Sequence, residues 1–160
     1  MGYKEDRAWS DKFNVIFQQI IGICFSMVAS AYDDTNRNTD IITFFVGKAR
    51  VACRARRNSY LARFDHQFTI RVLRLSGAKT ELDKLLAGWG DFILYGFSNH
   101  EETDLEQWIL GDLQVLREYI KGLEKLPEAI DNGDGTYFIP FNLRDIPGFV
   151  VKSSMDVKKK

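Results

Sequence analysis

Seven arginines fall between residues 50 and 74: Arg50, Arg54, Arg56, Arg57, Arg63, Arg71 and Arg74. A guanidinium stays charged at neutral pH and can fork onto two oxygens of one phosphate. Asp40 precedes the group and is the nearest candidate for holding a divalent cation. Between them lie two β-rich runs, Ile41 to Val46 and Val51 to Arg56, joined through Gly47 and Lys48, and this pattern reads as a β-hairpin. Alternation along the second run places Val51, Cys53 and Ala55 on one face and Ala52, Arg54 and Arg56 on the other, with Arg57 following. In that hairpin Asp40 lies beside the arginine row.

The rest of the chain must position this stretch. Its 160 residues suit one domain, expected over residues 1–152, with a flexible basic tail at 153–160. Formal net charge is zero, so any nucleic-acid surface has to be a local patch balanced by acidic surface elsewhere. Cys24 and Cys53 lie in apolar runs without metal-site spacing and read as thiols of a reducing, cytoplasmic compartment. The charged N-terminus does not read as a signal peptide. The apolar run from Phe13 to Ala31 is broken by Asn14, Gln18, Gln19 and Ser26, so it reads as a buried helix from about Lys12 rather than a membrane span.

Further along, Phe68–Leu75 alternates like a strand and adds Arg71 and Arg74. Thr80 or Ser76 can cap a short helix, Glu81–Leu86. Asp91–Phe97 reads as a central strand covered on both faces, and Leu105–Leu126 as a second long helix. Asp131 to Gly135 signals a turn into a strand, Thr136–Leu143, where Pro140 favours an edge. The predicted class is α/β, a mixed central sheet flanked by helices.

A helix, a strand opening with Asp40 and a strand carrying charge at alternate positions are together similar to the PD-(D/E)xK restriction-endonuclease-like superfamily. Lys84 in a helix followed by the strand ending at Phe97 resembles the segment after the active-site hairpin of such nucleases, and the likeness spans roughly residues 12–120. The resemblance implies metal binding by Asp40, with Arg56 in the place of the lysine that activates water. Arg54 falls on the acid position, where a guanidinium repels Mg²⁺ and has no lone pair to offer. A Mg²⁺ site would then have to be rebuilt from Asp34, Asp40 and Glu81. The resemblance therefore implies a degenerate site that binds DNA or RNA through Arg54, Arg57, Arg71 and Lys79. The alternative is a non-enzymatic protein-interaction factor, for example a phage-encoded inhibitor of a host defence system, since the chain also resembles uncharacterised phage and prophage proteins. The arginines can equally form one solvated sheet face paired with Asp65, Asp91 or Glu81.

Overall fold

The computed structural model describes residues 3–28, 30, 41–43 and 47–157. The chain divides into two compact units, Met1–Lys48 and Ala49–Lys160. No described helix is long and apolar enough to cross a membrane.

The first unit contains helices α1 (Tyr3–Asp11) and α2 (Asn14–Cys24) and strands β1 (Ser26–Val28) and β2 (Ile41–Thr43). Residues 3–11 are helical, and Trp9 packs on Phe13 with ring centroids 5.0 Å apart. Phe13, Phe17 and Ile20 are buried at helical spacing. The expected helix to Ala31 stops at Cys24, because Ser26–Val28 pairs antiparallel with Ile41–Thr43. Where almost every position is apolar, periodicity cannot mark the point at which ladder bonds replace helical ones.

Of the hairpin expected around Gly47, residues 44–46 lie outside the described residues, and the described part of its first run pairs with β1. Strand β3 (Val51–Arg56) runs parallel to β5 (Phe92–Ser98), not antiparallel to β2. Strand β5 pairs antiparallel with β6 (Leu105–Asp112), and β6 with β9 (Val150–Ser153), giving the order β3-β5-β6-β9. A second sheet is antiparallel in the order β4-β8-β7: β4 (Gln67–Arg74), β8 (Thr136–Asn142), β7 (Ile130–Asp131). Helical turns at Asn58–Tyr60 and α3 (Leu61–Phe64) lead from β3 to β4, α4 (Glu81–Leu86) precedes β5, and α5 (Leu113–Gly122) follows β6. The class is mixed α/β with helices against the sheets.

The core of this unit joins both sheets to both longer helices: Phe68 and Ile70 of β4, Leu82 and Leu85 of α4, Tyr95 and Phe97 of β5, Leu116 of α5 and Phe141 of β8. Phe149 stacks on Phe68 at 4.6 Å and also fills the space over Gly111, where a Cβ would collide with its ring. Strand β5 is the central strand that its unbroken apolar run predicts. Strand β6 replaces the first part of the expected helix from Leu105. Gly111 is a poor helix former, and Asp112 caps α5 by accepting from Gln114 N (2.7 Å) and Val115 N (3.3 Å). Pro140 lies within β8 beyond the end of β7, whose pairing stops at Phe138, so the strand is unpaired on that side. Of the expected tail, Ser153 closes β9 and Ser154–Val157 forms a helical turn, α6.

Helix α4 begins where expected. Thr80 Oγ1 accepts from Asp83 N (3.3 Å), and Asp83 Oδ2 accepts from Thr80 N (2.7 Å) and Oγ1 (2.8 Å), which forms a reciprocal capping box. Replacing Thr80 with Ala is expected to lower unfolding free energy by about 1 kcal/mol in a urea titration. The bonds from Thr80 hold the Asp83 carboxyl below its ordinary value. Because the folded state favours the carboxylate, this stabilisation is full above the ordinary carboxylate range and fades as pH falls through the lowered value. Asp83→Asn should therefore cost stability at pH 7 and progressively less toward pH 3, measured by Tm against pH.

Candidate nucleic-acid interface

Alternation along β3 does bring Arg54 and Arg56 together, and both reach across to β4. Arg54 Nη1 donates to Thr69 O (2.9 Å) and Thr69 Oγ1 (3.4 Å), and Arg56 Nη1 donates to Thr69 Oγ1 (3.1 Å). Strands β3 and β4 are the adjoining edges of two different sheets, so these guanidiniums bridge a gap that no backbone ladder closes. Arg54 forms an ion pair with Glu81 at the first position of α4, while the other Glu81 oxygen accepts from Arg71 N (2.9 Å). Arg56 also lies over the Tyr60 ring, 4.8 Å from its centroid.

The electrostatics are those of a crowded cationic site. Burial first, then the neighbouring charges of Arg71, Arg56 and Arg74, pull Arg54 down from the usual arginine value to about 10, with Tyr95 opposing; it remains a cation at neutral pH. Among the described residues, carboxylates that interact with this group include Glu81, held by Arg54, and Asp134, kept low chiefly by its Thr136 hydrogen bond and slightly by Arg71. Arg74 Nε is buried and finds no hydrogen-bond partner among the described residues. Lys79 is exposed on the turn before α4, close enough for its charge to help lower Asp83.

Arg54, Arg56 and Arg71 are thus brought together, with Arg74 in the same field. Arg57 is directed elsewhere: its Nη1 pairs with Glu102 Oε1 at 3.1 Å. Asp40 and Asp34 lie outside the described residues. The residues at the positions that the nuclease resemblance assigns to an acid and a lysine do not fit a metal ion. Arg54 and Arg56 offer only donors, and both Glu81 oxygens are already engaged. Among the described residues no cluster of three His, Cys, Asp or Glu side chains could hold a metal. Asp131 to Gly135 is a turn, with Asp131 Oδ1 accepting from Gly133 N (2.8 Å) and Asp134 Oδ1 from Thr136 N (3.0 Å).

A cleft of about 210 Å³ opens beside the arginines, between β3, β5 and the end of α4. Trp89 stands on its rim, 60 % exposed, with the Arg50 guanidinium 5.3 Å from its ring centroid. The turn carrying Trp89 is fixed from behind by the buried Arg117. Its Nε donates to Leu85 O (2.7 Å) and its Nη2 to Trp89 O (2.9 Å) and Gly90 O. Neither Trp89 nor Arg117 stood out in the sequence. The available signal was a tryptophan between Gly88 and Gly90, both of which take positive φ here (+87° and +81°).

Fold and site together define a mixed α/β unit whose two sheets are tied by arginines beside an apolar cleft. No family model, curated protein or solved structure matches the chain.

Proposed function

We propose that this protein binds nucleic acid through the phosphate backbone, without hydrolysing it, using the arginines of β3 and β4. The observation that carries this reading is the crowding of like charge between those strands. Among the described residues, Arg54, Arg56, Arg71 and Arg74 lie in one electrostatic field, and the three neighbouring guanidiniums join burial in lowering Arg54. A polyanion is the ligand that such a cationic field attracts. Arg54 and Arg56 also bridge the sheets through Thr69, so the more outward contacts of the group are assigned to Arg71, Arg74 and the exposed Lys79. Hydrolysis is left out of the reading because Arg54 occupies the acid position.

Labelled single- and double-stranded DNA and RNA, with Mg²⁺ or with chelator, test the reading on wild type and Asp40→Ala. Binding is expected in both buffers, intact substrate throughout, and no change on replacing Asp40. Mg²⁺-dependent cleavage lost in Asp40→Ala would instead establish a nuclease with its metal site built from other acids.

A second reading, a non-enzymatic protein-interaction factor such as a phage-encoded inhibitor, is favoured by one feature. Leu73 and Leu75, at and just beyond the end of β4, are 47 % and 74 % exposed. This reading takes precedence if no oligonucleotide binds at low salt.

A further inference from the structure

We infer that the Trp89 cleft seats one unpaired base, so that the nucleic acid bound is single-stranded; this rests on the backbone-binding reading above. The cleft walls are Ala52, Ile70, Leu85, Ile93 and Leu113, which suit a flat apolar ring. Its charged rim is Arg54, Glu81 and Lys84, and Lys84 is exposed. With Glu81 held by Arg54, the cation left facing an incoming ligand is Lys84, joined by Arg50 over Trp89. An apolar floor under a cationic rim fits a base attached to a phosphate better than it fits a neutral or acidic partner.

Size narrows the occupant. Sites for drug-sized ligands run to about 300–1,000 Å³, whereas this cleft holds about 210 Å³. There is room for a single ring system and none for a base pair. A base inside a duplex cannot enter it without leaving its stack.

Trp89 supplies the stacking surface. Here the structure fixes the backbone that carries the indole: Leu85 O, Trp89 O and Gly90 O accept from the buried Arg117 guanidinium, and Trp89 N donates to Lys84 O (3.0 Å), while Arg50 lies over the ring. A rigid aromatic platform beside a cationic track is how proteins hold unpaired strands without reading sequence.

The test is fluorescence polarisation at low salt with the full chain, using a labelled twelve-nucleotide strand and its duplex. Wild type is compared with Trp89→Ala, Trp89→Phe and Ala52→Phe. Ala52 is exposed and lines the cleft, so the larger side chain fills it while leaving Trp89 in place. Wild type is expected to prefer the single strand by about tenfold, and Trp89→Ala and Ala52→Phe to lose that preference while keeping duplex affinity. Trp89→Phe keeps most of it. Equal binding of strand and duplex by wild type, or equal loss of both in Trp89→Ala, overturns the base-seating inference and leaves backbone binding standing. No binding of either probe overturns both.

Discussion

Glu81→Gln is expected to make the protein less stable and its grip on nucleic acid tighter. Glu81 is the ion-pair partner of Arg54, a side chain only 20 % exposed and surrounded by like charge. Removing the carboxylate charge leaves that cation without its counterion. Loss of a fully buried partner costs about 3–5 kcal/mol, and since Glu81 itself is about one-third exposed and Gln keeps an acceptor for Arg71 N, about 2 kcal/mol is expected here. The same change raises the positive charge at the site by one. At the surface a unit charge near a phosphate contributes about 1 kcal/mol or more, so affinity for an oligonucleotide at low salt should rise about fivefold. Urea unfolding and polarisation titrations measure the two effects. A purely structural arginine cluster predicts the stability loss alone. Saturating oligonucleotide should also recover part of the lost Tm, since a ligand of the folded state stabilises it by mass action.

Arg71→Ala combined with Arg74→Met should weaken binding by about thirtyfold at low salt and make its salt dependence shallower by about 1.5 log units per decade, from two lost contacts at about 0.7 each on a single strand. Arg54 and Arg56 are less suitable, because their guanidiniums bridge β3 to β4 through Thr69 and their loss would also cost stability. Stability should move little, or upward. Arg74 Nε is a buried donor with no hydrogen-bond partner among the described residues, which costs about 1–3 kcal/mol, and Met keeps the apolar stem while removing that donor. A variant more stable and less able to bind would mark Arg74 as a residue held for its ligand.

What could be read from the sequence was local. Thr80 and Asp83 mark the start of α4 because a capping box needs only residues three apart. The run from Phe92 to Phe97 identifies the central strand because burial on both faces removes polar residues from it. The row of Arg54 and Arg56 follows from strand alternation alone. What could not be read was pairing. Gly47 between two β-rich runs fits a hairpin, yet β2 pairs with β1 and β3 with β5, a choice settled by contacts distant in sequence. The stretch from Leu105 to Leu113 satisfies helical and extended patterns at once, and Gly111 with the Asp112 cap decides between them. The same limit applies at the site: spacing places the guanidiniums on one face, but only the fold shows Arg54 turned toward Glu81 and Arg57 toward Glu102.

The central claim is that the arginines of β3 and β4 hold a phosphate backbone. The measurement that bears on it most directly is equilibrium binding of a labelled oligonucleotide across a salt series from 20 to about 300 mM, with wild type and the Arg71→Ala, Arg74→Met variant side by side. Binding that weakens linearly with log salt, with a slope shallower by about 1.5 in the variant, is the expected result. No binding at the lowest salt, or an identical slope and affinity in the two proteins, would contradict it.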